Sequence, residues 1–411
     1  MTINQQLLSI IEIVIFAIAL GLFIPIAVLF IECCFALFPR ARVANATTAR
    51  PRIDVLVPAH NEALGISATL KTILPQLTAQ DRLVVIADNC EDETADVARA
   101  LGATAIKRRD LSRQGKGYAL DYGLRFIAAN PPEAVVFVDA DCIVHPGTIE
   151  RLARLAVAAT RPVQATYLMQ SPKEPSAVNA VSQLALTVKN LVRPSGLDRL
   201  GLPCLLTGSG MAFPWCVIHL ASLASGNIVE DMQLAVELAI NGYPPIFCSE
   251  AQVKGLIPQQ QSSAKSQRTR WEHGHLQTLL TQVPRLLKAA FEQKRFDLLA
   301  IALDLCVPPL SLLVMFWAMT MTGALLAGEL GASWTPTIIL ATQGILILLS
   351  IVGAWAKYAR ENLPLLTLLS VPLYILWKIP LYFAFLIRPQ TKWIRTERDV
   401  TQREVVDASH F

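Results

Sequence analysis

A long apolar stretch near the start of the chain limits its fold more than any other feature. From Leu7 to Phe38 the sequence is almost continuously apolar, which exceeds the roughly 20 residues that one membrane-spanning helix needs. No Lys or Arg precedes this stretch, and no small-residue cleavage site lies before Pro39, so it differs from a cleaved signal peptide. We therefore predict a retained transmembrane anchor over residues 1–39.

Three further apolar stretches lie near the other end of the chain. Leu298–Ala327 and Thr335–Ala356 are each long enough to span a membrane. The third stretch, Leu363–Ile387, contains Lys378 and several prolines, and we expect it to cross as well, provided that other helices cover those residues. A re-entrant segment is the alternative, because a crossing would leave the basic tail on the outer side, against the positive-inside rule.

Charge orients the chain and excludes one class of partner. Four arginines follow the first apolar stretch and no Lys or Arg precedes it, which places the middle of the chain on the cytosolic side of the membrane. We expect this membrane to be a bacterial-type plasma membrane. The formal net charge of +4 is too small to indicate nucleic-acid binding. The eight cysteines include no CxxC pair, so neither a zinc site nor a disulfide framework is expected.

The middle of the chain has the pattern of an α/β domain with an open, mainly parallel sheet. Short β-branched runs alternate there with stretches of helical spacing. The predicted strands are Ile53–Val57, Leu83–Ala87, Ala103–Lys107 and Ala134–Val138. Ligands of such sheets gather at the carboxyl ends of the strands. No glycine-rich dinucleotide or P-loop fingerprint follows the first strand, so a nucleotide must be held by other means.

Two acids follow the fourth predicted strand. In Val138-Asp-Ala-Asp141 the carboxylates of Asp139 and Asp141 lie on the same side of an extended segment. Carboxylate oxygens in this arrangement suit a hard divalent cation, which would neutralise a diphosphate leaving group. An isolated Asp-x-Asp is a weak signal, and a pair of solvated loop acids is the alternative.

A second acidic pair, Glu230-Asp231, lies between apolar residues and precedes a helical pattern. Carboxylates at a helix N-terminus are stabilised by the helix dipole, so a purely structural capping role is one interpretation. The functional interpretation makes Asp231 a general base that deprotonates an attacking hydroxyl.

The segment Gln267-Arg-Thr-Arg-Trp271 offers three functional groups on one side of a helix. Gln267 supplies an amide, Arg270 a guanidinium for phosphate oxygens and Trp271 an indole on which a sugar ring can stack. An amphipathic turn with its Trp at the membrane interface is the structural alternative.

Taken together, these motifs resemble the membrane-integrated family 2 glycosyltransferases, which include cellulose, hyaluronan and chitin synthases and ceramide glucosyltransferase. The resemblance extends from Asp54 to about His275 and includes the flanking apolar helices. It implies a GT-A glycosyltransferase domain, with its α/β nucleotide-binding sheet, and transmembrane helices at both ends. His60 stands where many relatives carry Tyr, and we expect this departure to change little.

The resemblance also implies roles for individual residues. The residues expected to contact the nucleotide sugar are Pro58, Ala59, His60, Glu62, Asp88, Lys116, Asp139 and Arg270. Ligation of Mg²⁺ or Mn²⁺ falls on Asp139 and Asp141, and catalysis on Asp231 with Glu230. Acceptor binding falls on Gly208, Ser209, Gln267 and Trp271.

The function implied is inverting transfer from a nucleoside-diphosphate sugar, expected to be UDP-linked, to a polysaccharide, with β-glycosidic linkage. A single transfer to a membrane lipid is the alternative, and a nucleotide-sensing transport protein is a distant one. Expected partners are the sugar nucleotide, the acceptor, membrane lipids and, for a polymer, an export partner. The expected segments are the anchor 1–39, the catalytic domain 40–275, an interfacial amphipathic region 276–297, transmembrane helices 298–387 and a polar tail 388–411.

Overall fold

The computed structural model describes residues 3–40, 49–170, 177–224, 229–256, 261–361 and 363–387. The predicted polar tail 388–411 lies outside the described residues. One eight-stranded mixed sheet forms the middle of the chain, with strand order β3-β2-β1-β4-β7-β6-β8-β5. Its strands are β1 Ile53–Ala59, β2 Arg82–Asp88, β3 Thr104–Arg108, β4 Ala134–Phe137, β5 Cys142–Val144, β6 Val163–Gln170, β7 Met211–Pro214 and β8 Ile246–Leu256.

Fourteen α-helices are assigned within the described ranges. They are α1 Ile3–Leu37, α2 Ile66–Ile73, α3 Thr94–Ala100, α4 Lys116–Ile127, α5 Thr148–Ala159, α6 Ala177–Thr187, α7 Arg193–Arg199, α8 Trp215–Ile218, α9 Glu230–Ile240, α10 Gln261–Gln293, α11 Phe296–Cys306, α12 Leu310–Glu329, α13 Thr335–Tyr358 and α14 Val371–Ile387. A π-helical turn, Val188–Val192, joins α6 to α7, and a 3₁₀ turn, Leu365–Ser370, precedes α14.

The sheet separates two apolar layers, as its sequence pattern requires. In β1, Ile53, Val55 and Val57 pack on one face, whereas Leu56 packs on the other with Phe137 of β4. Strands β1, β2, β3 and β4 are parallel, and both faces are covered by helices, which explains their nearly continuous apolar runs. The four predicted strands are confirmed, each to within two residues.

Helices α1, α12 and α13 pack as a bundle. Gln343 of α13 donates to the Ala19 carbonyl of α1, and Trp317 of α12 donates to the Leu340 carbonyl of α13. At the other end of the bundle, Lys357 donates to the Ala36 carbonyl. Four helical segments of the described chain are long and apolar enough to cross a membrane, namely 6–37, 310–329, 335–358 and 368–387.

One sequence prediction for the C-terminal third requires correction. The span expected over Leu298–Ala327 is two helices, because the chain leaves the helix at Val307 and restarts after Pro309. The first of these, α11, has 11 residues and is too short to span. The region expected to be amphipathic and interfacial, 276–297, forms the second half of the 33-residue helix α10 and the start of α11.

Helix α7 packs against α1 at very short range. Gly196 lies directly against the backbone of Glu32, where an added Cβ would collide with the main chain. Beside this contact, the guanidinium of Arg193 binds the carboxylates of Glu32 on α1 and Asp304 on α11, at 2.6 and 2.5 Å. All three charged side chains are buried, so α1, α7 and α11 are held together by packing and by charge.

Candidate active site

One large cavity, of about 270 Å³, opens at the carboxyl ends of the parallel strands. It brings together fourteen of the fifteen side chains or backbone positions that the sequence singled out. They are Pro58, Ala59, His60, Glu62, Asp88, Lys116, Asp139, Asp141, Gly208, Glu230, Asp231, Gln267, Arg270 and Trp271. The exception is Ser209.

The acidic pair after β4 has a donor set suited to a divalent cation. A carboxylate oxygen of Asp139, one of Asp141 and the sulfur of Cys142 lie within 4.8 Å of one another. Burial raises the pKa of Cys142 well above its ordinary value, and its thiol donates to Asp141 Oδ1 at 3.7 Å. A cysteine sulfur is a soft ligand and suits other metals than Mg²⁺ or Mn²⁺. The remaining carboxylate oxygens fit Mg²⁺ or Mn²⁺.

Lys116, the first residue of α4, is the cation at the centre of the cavity. Its Nζ lies 2.5 Å from Asp139 Oδ1 and 3.7 Å from Glu230 Oε1, and it donates to the Gly208 carbonyl at 2.6 Å. Burial alone would lower the pKa of Lys116, but the neighbouring carboxylates outweigh it and raise that pKa. The ammonium therefore stays charged.

Glu230 and Asp231 open α9, as the sequence pattern predicts. Asp231 Oδ1 accepts from the backbone N–H of Met232 at 2.9 Å. Burial raises the pKa of Asp231 and, to about 7, that of Glu230, while Lys116 acts in the opposite direction on both. Both carboxylates are thus partly shielded from water, and Glu230 faces the ammonium of Lys116, which also binds Asp139. This arrangement is suited to accepting a proton.

The loops after β1 and β2 form the opposite wall. Nδ1 of His60 lies 2.7 Å from the Asp88 carbonyl, which ties the two loops together. Asp88 is buried, and Arg108 binds its carboxylate at 2.6 Å from the end of β3. Burial raises the pKa of Asp88 and Arg108 opposes that effect. Because Arg108 orients Asp88, it is a positioning residue that the sequence motifs did not reveal.

The loop before β7 supports the site in a way that differs from the prediction. Gly208 has a φ of +96°, and a Cβ there would lie 3.3 Å from Asp231 Oδ2. Ser209, predicted to bind the acceptor, is completely buried, and its hydroxyl accepts from the backbone N–H of Asp139 at 3.1 Å. That prediction is wrong for the side chain, since Ser209 holds Asp139 in place from behind.

Helix α10 contributes Gln267, Arg270 and Trp271 to the lining of the cavity. Trp271 also borders a second, smaller cavity, together with Lys189 of the π-helical turn. Sequence reasoning missed Lys189, because its contribution depends on the long-range packing of α6 and the π turn against the sheet. No local motif marks it.

The family to which these features belong can now be established. The family described as Glycosyltransferase like family 2 matches residues 51–274, more than half of the chain. The chain belongs to this family. The region from β1 to Trp271 is therefore a glycosyltransferase domain, and the resemblance found in the sequence is confirmed.

Individual relatives of this glycosyltransferase are distant. It is 23% identical over 263 residues to the probable glycosyltransferase YdaM of Bacillus subtilis, covering 60% of this chain and 61% of that protein. It is 26% identical over 244 residues to the probable glucomannan 4-beta-mannosyltransferase 11 of Arabidopsis thaliana, covering 54% of this chain and 53% of that protein. The chain thus spans less than two thirds of the length of these curated relatives.

A solved structure gives the same fold. The mannosyltransferase PcManGT of Pyrobaculum calidifontis, determined in complex with GDP-Man and Mn²⁺, aligns with a TM-score of 0.55 and 20% sequence identity. The alignment covers 86% of this glycosyltransferase and 99% of that chain. The predicted GT-A fold is confirmed by this similarity.

Proposed function

We propose that the protein transfers a sugar from a nucleoside-diphosphate sugar to an acceptor hydroxyl at the membrane surface, with inversion at the anomeric carbon. The observation that carries this proposal is the single cavity shared by Asp139, Asp141, Lys116 and Asp231. It supplies ligands for a cation, a charge for a diphosphate and a base for a hydroxyl within one enclosed space.

In the proposed reaction, Asp231 takes the proton of the acceptor hydroxyl. The hydroxyl oxygen forms a bond to the anomeric carbon, and the bond from that carbon to the diphosphate oxygen breaks, its electron pair leaving with the nucleoside diphosphate. Lys116 and Arg270 stabilise the charge that develops on the diphosphate. A divalent cation held by Asp139 and Asp141 supplies further charge neutralisation when bound. Attack from the face opposite the diphosphate produces a β linkage from an α-linked donor.

We further propose that the catalytic domain lies on the cytosolic side of the membrane. Arg40, Arg50 and Arg52 follow α1, whereas Lys357 lies in the last turn of the bundle helix α13 and Arg360 follows it at the same end. Sugar nucleotides are made in that compartment, so this orientation gives the cavity access to its donor.

The donor proposed is a UDP-sugar, and the acceptor is a polysaccharide or a membrane lipid. GDP-mannose is the donor to compare directly, since PcManGT was determined in complex with it. The test uses the full chain in lipid nanodiscs with Mn²⁺ or Mg²⁺ and radiolabelled UDP- and GDP-sugars. Label is separated into high-polymer and lipid-extractable fractions.

Metal-dependent transfer to either fraction supports the proposal, and the fraction identifies the acceptor class. Binding of sugar nucleotides without turnover, across all donors and with added membrane lipid extract, would overturn it in favour of a nucleotide sensor. The variant Asp96→Asn is a suitable control, because this exposed acid of α3 is paired with Arg99 away from the cavity.

A further inference from the structure

A second cavity, of about 90 Å³, lies between the catalytic site and the apolar helices. Its walls come from α1, α6, the π-helical turn, α7, α10, residues 307–309, the start of α12 and α14. It shares Leu186, Lys189 and Trp271 with the catalytic cavity. A molecule that occupies the second cavity therefore lies next to the reacting groups and next to the membrane helices at once.

Most charges in this cavity are already neutralised by the protein. Arg193 is bound by Glu32 and Asp304, and Lys378 forms a salt bridge with Glu272. These cations have structural partners, so they require no ligand. Two other cations, Lys189 and Arg268, also line this cavity.

Lys189 and Arg268 line the same cavity without a salt-bridged carboxylate in the described ranges. Arg268 is buried, donates to Asn179 Oδ1 at 2.6 Å and lies 5.6 Å from the centre of the Trp377 ring. Lys189 Nζ forms no hydrogen bond or salt bridge among the described residues, although the charge of Asp231 opposes the lowering of its pKa by burial. Arg268 is buried without a bound carboxylate in the described structure, and the partly buried Lys189 is opposed by the charges of Asp231 and Asp304 without a direct salt bridge to either. An anion bound to both cations would offset the cost of removing them from water.

His275 gives an independent indication of a polar ligand. The side chain is 4% exposed and lines the second cavity, and its Nε2 has no hydrogen-bond partner in the described structure. Burial lowers the pKa of His275 well below its ordinary value, so the ring is neutral. A buried polar atom of this kind is costly beside hydrocarbon alone but suits a ligand with a polar head.

The backbone around Lys189 is also irregular. The turn Val188–Val192 is π-helical, with Val188 and Val192 packed into the apolar cluster of the membrane helices. Such turns insert an extra residue into a helix and occur frequently at functional sites. Here the turn anchors its valines among the apolar helices while Lys189 borders both cavities.

We propose that the second cavity binds the phosphate-bearing head of an amphiphilic acceptor. Lys189 and Arg268 bind the phosphate oxygens, an arrangement in which a lysine point charge and a planar guanidinium complement each other. The hydrocarbon part of the acceptor lies against Leu29 of α1 and Leu310 of α12, and its hydroxyl extends past Trp271 towards Asp231. This inference rests on the proposed transfer reaction and specifies its acceptor class.

The test measures binding to the purified, delipidated full chain in a non-ionic detergent by titration calorimetry. The probes are hexadecyl phosphate, hexadecanol and inorganic phosphate. We expect hexadecyl phosphate to bind at least about tenfold more tightly than either other probe, a difference of about 1.4 kcal/mol. Equal affinity for hexadecanol would overturn the proposal. Displacement of hexadecyl phosphate by equimolar inorganic phosphate would assign the site to free phosphate and also overturn it.

Variants locate the binding. Lys189→Gln and Arg268→Gln are each expected to weaken hexadecyl phosphate about tenfold or more, and Lys189→Arg to retain most of the affinity. Lys288→Gln, an exposed lysine of α10 paired only with Glu292, is the matched control. Unchanged affinity in both Gln variants would exclude this site. If Arg268→Gln does not fold, the pair of Lys189 variants carries the test.

A separate titration of the wild-type preparation with UDP or GDP and Mn²⁺ keeps this inference distinct from the proposed function. Hexadecyl phosphate binding without nucleotide binding would overturn the proposed function and leave the cavity assignment standing. Nucleotide binding and sugar transfer without hexadecyl phosphate binding would do the reverse.

Discussion

The ammonium of Lys116 lies 2.5 Å from the Oδ1 atom of Asp139, although Lys116 begins the helix after β3 and Asp139 lies between β4 and β5. The same Nζ lies 3.7 Å from Glu230 and binds the Gly208 carbonyl. One lysine thus holds together the three loops that carry the candidate metal ligands, the candidate base and the close-approach glycine.

Removing this charge is expected to destabilise the metal-free protein. In Lys116→Gln, the partly buried carboxylates of Asp139, Glu230 and Asp231 lose the ammonium that lies among them, so the free energy of unfolding should fall by about 1–3 kcal/mol. Mn²⁺ should then raise the thermal unfolding midpoint of the variant more than that of the wild type. Lys107→Gln, an exposed lysine on β3, is the control. Equal Mn²⁺-induced shifts in wild type and Lys116→Gln would contradict this account.

Asp231→Asn is expected to keep sugar-nucleotide binding and to lose transfer by about 10²-fold or more, as for removal of a general base. The amide preserves shape but cannot accept the acceptor proton. Asp141→Asn should instead weaken metal-dependent nucleotide binding itself. Equilibrium binding of the labelled nucleotide and the rate of nucleoside-diphosphate release separate the two effects. Unchanged turnover in Asp231→Asn would remove this residue from the mechanism.

Glu230 makes a pH dependence testable in the absence of metal. Burial raises its pKa from 4.5 to about 7 in the folded protein, with Lys116 opposing. Between pH 4.5 and about 7 the folded chain therefore keeps this proton, whereas the unfolded chain has released it. The stabilisation that comes from the protonated carboxyl group is lost as pH rises through about 7. Gln resembles the protonated acid, so Glu230→Gln should gain stability relative to wild type between pH 4.5 and 7.

Thermal unfolding in EDTA at several pH values within this range measures that difference. A pKa that differs by one between the folded and unfolded states changes the free energy of unfolding by at most about 1.4 kcal/mol. A gap between wild type and Glu230→Gln that stays constant with pH would show that Glu230 titrates normally.

The parts of the molecule predicted from sequence are those specified by local pattern. The buried strands and the acids that follow them could be located because alternation, strand ends and helix starts are short-range signals. Ser209 was misassigned because its neighbours in sequence line the cavity while its own side chain points to Asp139 from behind. Lys189 and Arg108 were missed because their partners lie on distant elements.

The membrane region was harder to predict for a physical reason. Composition over 298–327 is apolar throughout, so hydropathy alone does not show that Pro308 and Pro309 divide it into a buried helix and a candidate span. A helix buried in protein, such as α11, and a helix that spans a membrane, as expected for α12, are built from the same apolar residue types. Only the tertiary contacts distinguish them.

The buried charges between α1, α7 and α11 provide a fourth prediction. Arg193→Met leaves Glu32 and Asp304 buried without their cation, and should lower stability by about 3–5 kcal/mol. Replacing all three together, as Glu32→Gln, Arg193→Met and Asp304→Asn, should restore most of that loss. Thermal unfolding in one detergent compares the variants. Equal midpoints for wild type and Arg193→Met would mean that the network contributes nothing to the junction.

Helix α14 runs alongside α10 rather than beyond it. Trp377, Lys378 and Leu381 contact Arg268, Glu272 and His273 in the same order along the two helices. Tyr382 bonds to Ser311 at 2.6 Å, at the start of α12. Helix α10 carries charged residues along this segment and cannot lie in the hydrocarbon core.

We therefore predict that α14 lies in the membrane interface and does not cross. Its exposed face, which includes Leu373, Leu376, Phe383 and Leu386, would then contact lipid while Lys378 stays with Glu272. This choice leaves the basic tail on the side of the catalytic domain, in agreement with the positive-inside rule. A protease-cleavable C-terminal tag should be cut only in inside-out vesicles. A tag in the connection between α12 and α13, at Gly331, should be cut only in right-side-out vesicles. Cleavage of both tags from the same side would show that α14 crosses the membrane.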